Sequence, residues 1–406
     1  MKKKKMPQKK ESDGRLLFVL AGAVILAAVF IAAIVLTSHD DSEPANTTDA
    51  IRIGAIYNLN GSQSSLDIPS AQGARLAARE INEHGGVNGR PVSLILYDGR
   101  SNTTEITAAA NRLVTEDRVQ VLLGMSDSDM VLPAAQVAAK SGVVFVTSGA
   151  TSPLLPAQVP GYLYLSCFGD NTQAAVAAEF ALSDLNATRA VVITDSSMEY
   201  PRLLSRYFTD RFTNGGGTIT GTVQYDGGSG NYSFAHITSG VENAHPDIVF
   251  VACGPADCGA VIRAVREAGI TAPIIGGDSF DSSQLADSVG PDADRIYYTT
   301  HADISTSSSD RNVSAFIKRY YLEYGEEPNA FAALGYDAVN IVAQAMTASG
   351  DLREGLAAIQ GYDGLTGTIS YRNLSQIPEK SVTIMEIKNG MVVAIGERMP
   401  RVIPAP

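Results

Sequence analysis

GMSDSDMVLPAAQVAAKSGVVFVTSGATSP, residues 124–153, decides how the chain folds. An apolar run, VQVLL (119–123), precedes it and a second, VVFV (143–146), lies within it; each suits a strand buried on both faces, and the segment between them has helical length. Strand, helix and strand in that order make a right-handed crossover within one parallel sheet. The serine-rich turn at 126–129 and the small-residue turn at 147–152 then lie on the same edge of that sheet, the edge beyond the carboxyl ends of the strands where open parallel sheets bind ligands. Gly149, Ala150, Thr151 and Ser152 are too small to fill a core. They expose backbone N–H and C=O groups and hydroxyls, the inventory needed to hold a small zwitterion. The same Ser, Thr and Asp residues would also serve as ordinary helix caps, and the two readings stand side by side.

Working outward, strand and helix signals alternate from Ile51 onward. IRIGAIYN reads as a buried strand, residues 68–84 as a helix closed by Gly85 and Gly86, and VSLILYD, a helix over 105–116, VQVLL and VVFV continue a first lobe. After YLYLSC (162–167) a fresh series begins: a helix over 171–185, AVVITD, a helix over 200–214, TITGTVQY, a helix through Ile237, DIVFVAC, a helix over 257–268 and APIIGGD. RIYYTTH (295–301) reads as a return crossing, because two long helices, 312–324 and 330–349, then follow one another. GLTGTISY, VTIMEI and MVVAIG are closing strands with hairpin punctuation at Asn389-Gly390. Two similar α/β lobes joined by several crossings leave a cleft between them, the usual place for a ligand.

The chain has 406 residues, of which 45% are hydrophobic and 18% charged, enough for a proper core in two or three domains. Residues 1–15 form a lysine-rich tail, expected to be cytoplasmic, and residues 16–36 carry no charged or strongly polar side chain, long enough to span a bilayer. A cleaved signal peptide competes with this reading, but its apolar core is usually only about 7–15 residues, so a retained anchor over 16–37 is expected, with a polar linker at 38–50. Everything beyond would then lie outside the cell membrane. Seven N-x-S/T triplets, at Asn46, Asn60, Asn102, Asn186, Asn231, Asn312 and Asn373, fit an exported chain. Net charge is −12, and becomes more negative once the basic tail is set aside, which disfavours nucleic acid as a partner.

Three cysteines, Cys167, Cys253 and Cys258, provide no disulfide framework and no four-ligand zinc pattern; Cys253 and Cys258 either pair across CGPADC or lie buried as small residues. There is no phosphate loop with lysine, no HExxH, no GxSxG, and the five histidines are dispersed. No cofactor, metal or catalytic residue is expected, and a binding function is favoured over an enzyme.

IRIGAIYNLNG, EINEHGGVNGRPVSLILYD, SGATSP, IIGGDSFDS and YLEYGEEPNAFAALGYDAV occur in that order over residues 51–395, and in this the chain resembles the type I solute-binding proteins of ABC importers, nearest the leucine/isoleucine/valine-binding group. The resemblance implies an α/β protein of two Rossmann-like lobes, 51–168 with 301–363 and 169–300 with 364–399, joined by three crossovers and closing on a ligand. It also implies an amino acid as ligand, with permease subunits and their ATPases as partners. By position, Ser128 falls on the family's hydroxyl for the amino-acid carboxylate. Gly149, Ala150 and Thr151 fall on its small-residue turn, with the carbonyl near Gly149 and the Thr151 hydroxyl toward the ammonium and the Thr151 N–H toward the carboxylate. Tyr200 matches the aromatic of the second lobe, and Asp278 the acid that pairs with the ammonium. Gly254 stands near the place of a second tyrosine and Leu66 near another aromatic position, so the side-chain pocket differs. For Asp278 a capping role and for Tyr200 simple packing are the structural alternatives. A ligand-sensing ectodomain working with a separate signalling partner is the alternative function.

Overall fold

A computed structural model describes residues 49–406 apart from 231, 291, 292, 373 and 374. The expected tail, the anchor at 16–37 and nearly all of the linker therefore lie outside the described residues, as do Asn46, Asn231 and Asn373. Among the described residues no helix is long and apolar enough to cross a membrane.

Strands β1 (Ile51–Tyr57), β2 (Val92–Asp98), β3 (Val121–Gly124), β4 (Val144–Thr147) and β5 (Leu163–Leu165) form a sheet of order β2-β1-β3-β4-β5, parallel throughout. The apolar runs become strands because both faces of this sheet are covered. Val121 and Leu123 point into one core and Leu122 into the other, as the two-residue period of a strand requires. Strand β3 pairs with β1 and β4, and the helix Ser128–Lys140 makes the crossover expected between β3 and β4.

The second sheet contains β6 (Arg189–Asp195), β7 (Thr218–Tyr225), β8 (Ile248–Ala252), β9 (Ile274–Gly276) and β10 (Ile296–Thr300). After a small hairpin of β11 (Tyr362–Gly364) and β12 (Gly367–Ile369), it is completed by β13 (Val382–Lys388) and β14 (Met391–Arg398), giving the order β14-β13-β10-β9-β8-β6-β7. The last two strands run antiparallel to their neighbours. Phe250 and Ala252 enter one core and Val249 and Val251 the other.

Three passages connect the sheets. Leu165 belongs to the first lobe and Phe168 to the core of the second, so the first passage lies between them. The second passage follows Thr300, since Ile304 already packs with Phe316 and Tyr320 of the first lobe. For the third the expected boundary at 363/364 needs correction. Ile369 and Tyr371 are buried in the first lobe's core while Val382 is buried in the second's, so the chain crosses after Tyr371. The hairpin residues carry too few apolar side chains to mark which lobe they join.

Near the cleft one helix begins earlier than the expected residue 68. Ser64–Glu83 starts four residues sooner, because the backbone N–H groups of Leu66 and Asp67 bond the Gln63 carbonyl, and Pro69 is accommodated inside the helix. That helix meets Ala330–Ala348 at backbone distance. A Cβ on Gly73 would sit 1.8 Å from the Ala332 oxygen, and one on Gly335 1.9 Å from the Ser70 oxygen. Only glycine permits this approach, which fixes Leu66 and Asp67 against the sheet edge.

Cys253 and Cys258 form a disulfide, settling the alternatives left by the sequence. It joins the end of β8 to the first residue of the helix Cys258–Glu267 and brackets Pro255. Cys167 is free and buried.

Candidate functional site

The segments that follow β1, β3, β6, β8 and β9 converge between the lobes. Gln63 and Leu66 follow β1, Ser126 and Asp127 follow β3, Met198 and Tyr200 follow β6, Pro255 follows β8, and Asp278 and Ser279 follow β9; together they line a cavity of about 20 Å³. Every one of these strands is parallel to its sheet neighbours at that end, so the site sits where parallel topology places ligands. A volume of this size holds about one water. The lobes are drawn together by the Ser152 hydroxyl donating to Glu199 Oε1 at 3.0 Å and by the Glu199 N–H donating to the Asp129 carboxylate at 2.9 Å.

Asp278 is 3% exposed and accepts three hydrogen bonds. Tyr200 Oη donates to Oδ1 at 2.8 Å, Gln173 Nε2 to Oδ1 at 3.0 Å, and His301 Nε2 lies 3.0 Å from Oδ2. Burial pulls the His301 imidazole below its usual value, so the ring is neutral and Nε2 carries the donated hydrogen. Phe168 stacks on that ring at 4.0 Å, and Nδ1 has no partner among the described residues. The capping alternative for Asp278 finds no support, since the N-cap of the short helix Asp278–Phe280 is Gly277 and the Asp278 carboxylate is engaged by Gln173, Tyr200 and His301 instead. Tyr200 is not a simple packing residue either, because its hydroxyl is committed to Asp278.

The other expected residues lie behind the cavity wall. Ser128 opens the helix Ser128–Lys140, and its hydroxyl accepts the Ser152 N–H at 3.0 Å. Gly149 is pressed against Ser126 and Phe331, each 3.1 Å from where a Cβ would stand. The Ala150 N–H donates to the Thr147 hydroxyl oxygen, and its carbonyl accepts the Cys167 thiol. Thr151 is 2% exposed; its carbonyl accepts the Asp170 N–H at 2.7 Å. The structure thus brings Tyr200 and Asp278 together at the cavity and leaves Ser128 and the 149–151 turn one layer back.

Several contributors were not anticipated. Gln173 donates to both Asp170 Oδ1 (2.9 Å) and Asp278 Oδ1 (3.0 Å), while its own oxygen accepts from the Asp278 N–H and the Thr299 hydroxyl. Asp170 is fully buried; burial first, and then the charge of Asp278, raise its pKa well above the usual carboxylate range, against the lowering influence of the Thr151 hydroxyl. On the opposite wall burial pushes Asp127 up to about 8, with Asp129 and Asp67 adding to it, and pushes Asp67 up to about 6. Asp127 is the cap of its helix, accepting the Asp129 N–H at 2.7 Å. Gly254, where an aromatic was expected to be missing, leaves its space to Met198, whose sulfur would be 3.0 Å from an added Cβ. In the sequence, only the alternation of Asp and Ser at 126–129 hinted at the acidic wall.

Among the described residues no group of three or more His, Cys, Asp or Glu side chains is arranged to hold a metal ion. The site therefore offers neutral donors around one buried carboxylate, a second carboxylate opposite, and apolar walls from Leu66, Met198 and Pro255.

A family model described as periplasmic binding protein matches residues 50–391. The crystal structure of a branched-chain amino acid transporter substrate binding protein, LivJ from Streptococcus pneumoniae in complex with isoleucine, is 28% identical with a TM-score of 0.80, covering 86% of this chain and 100% of that one. The leucine binding protein LivK from Thermotoga maritima is 29% identical with a TM-score of 0.79, over 86% and 99%. Among curated sequences, the Leu/Ile/Val-binding protein BraC3 of Rhizobium johnstonii is 27% identical over 351 residues, 85% of this chain and 93% of that protein.

Proposed function

Because the chain belongs to the periplasmic binding protein family, we propose that it captures an α-amino acid between its lobes and delivers it to an ABC importer while held at the outer face of the membrane by residues 16–37. The observation that carries this reading is Asp278, a buried carboxylate whose three hydrogen-bond partners are all neutral and which faces an interlobe cavity. A buried anion so placed is stabilised by a ligand cation, and an ammonium supplies both the charge and the donors. The ammonium would lie against Asp278 and Tyr200, and the carboxylate, once the lobes part and the Ser152 N–H releases the Ser128 hydroxyl, toward Ser128 and the turn Gly149, Ala150, Thr151.

In the observed arrangement the cavity is far smaller than an amino acid, so the lobes must part for entry. Ligand then favours closure because it touches both walls only when they meet. Small-angle scattering of residues 49–406 tests this: saturating amino acid should reduce the radius of gyration, and an unchanged profile in the presence of a bound ligand would refute interlobe capture.

A further inference from the structure

We propose that the amino acid taken by this cleft is a basic one, whose side chain ends in an ammonium or guanidinium held by Asp127, rather than a branched-chain one. The inference rests on the amino-acid reading above and specifies its substrate class.

The cavity has an acidic side chain at each wall, Asp278 on the second lobe and Asp127 on the first, and among the described residues no Lys, Arg or His lines it. Each is backed by another buried acid, Asp170 behind Asp278 and Asp67 beside Asp127. An α-ammonium answers only the first pair. Asp67 Oδ2 takes both the backbone N–H and the side-chain amide of Asn58 at 2.8 Å, but its Oδ1 has no partner of good geometry among the described residues. The Ser126 hydroxyl, 9% exposed and lining the cavity, makes no bond of good geometry among the described residues, although it and the Ser126 N–H reach toward Asp67 as hydrogen-bond donors and lower that group's pKa. Of these two groups only the Ser126 hydroxyl lines the cavity beside Asp127, where it is open to a ligand donor.

Capping does not account for this wall. An N-cap needs an oxygen and no charge, and Ser or Asn would cap the helix Ser128–Lys140 as well. A second carboxylate packed beside the cap raises the electrostatic cost without adding a cap bond. Leu66, Met198 and Pro255 supply the remaining wall, which suits the methylene stem of a long cationic side chain. The isoleucine-type pocket would instead gain nothing from a buried acid.

Calorimetric titration of the full-length protein with L-lysine, L-arginine and L-leucine tests the proposal, together with Asp127→Asn and a second variant, Asp127→Ser, both of which keep a capping oxygen. Lysine or arginine should bind at least about tenfold tighter than leucine, and each variant should reduce that ratio at least about tenfold, with melting curves confirming the fold. If leucine binds and neither basic amino acid binds more tightly, or if the ratio survives in both variants, the proposal falls while the amino-acid reading stands. If none of the three binds, the proposal falls, and the amino-acid reading falls with it only if no other α-amino acid is released from the denatured protein.

Discussion

Replacing Asp278 by Asn removes one charge from the cleft and little else. Asp278 is 3% exposed, and its three partners, Tyr200, Gln173 and a neutral His301, are all uncharged, so a ligand ammonium would be the only full positive charge in contact with it. Losing one partner of a desolvated charge pair typically costs about 2–5 kcal/mol, or roughly one and a half to three and a half decades in Kd. The absence of any other cation in contact places the expectation in the upper half of that range. The fold should tolerate the change. An Asn oxygen still accepts from Tyr200 and Gln173, and its amide can donate to His301 Nε2 if the ring proton moves to Nδ1, which has no partner among the described residues. Relief of the repulsion with Asp170 offsets what is lost. Calorimetric titration of wild type and Asp278→Asn with the amino acid that wild type binds best, alongside melting curves, reads both effects. Equal affinities at an unchanged melting temperature would refute the role given to Asp278.

Acidity should stabilise the protein in the absence of ligand. Asp67 and Asp281, pushed up to about 6, and Asp127, pushed up to about 8, all exceed the ordinary 3.8, so the folded state keeps protons that the unfolded chain has released. Their contribution is complete below about pH 4 and is lost as pH rises through 6 and then 8. Buried Lys380, lowered from 10.5 to about 8, acts oppositely, destabilising the fold below 8 and easing above it. The melting temperature should therefore fall between pH 5 and 8 and recover above 8 as Lys380 loses its proton in both states; a rise between pH 5 and 8 would contradict the assignment. The proposed anchor over residues 16–37 predicts a mature protein that keeps its N-terminus and stays with membranes through a high-salt wash; N-terminal sequencing that begins after residue 37 would exclude it.

Much of the fold was legible because buried parallel strands read as unbroken apolar runs. VQVLL and VVFV became β3 and β4, flanking the helix Ser128–Lys140 as their spacing required. Tyr200 and Asp278 came from resemblance, and their direct bond supports grouping them. What the sequence concealed were the contributions that depend on distance along the chain. Gln173 lies 105 residues from Asp278 and 126 from Thr299, and no local pattern announces that convergence. The acidic wall was hidden for a different reason. Within SDSD, both the cap and the first helical residue are plausible contacts, and only the start of the helix at Ser128 turns Asp127 toward the cavity and Ser128 toward Ser152. The passage after Tyr371 escaped notice because a short, glycine-containing hairpin carries no periodicity long enough to assign it to a lobe.

Mass spectrometry of the small molecules released when freshly purified protein is denatured tests amino-acid capture most directly. The account predicts an α-amino acid at close to one per chain, absent from an Asp278→Asn sample prepared in parallel. Release of a solute lacking an ammonium group, in equal amount from both proteins, would contradict it.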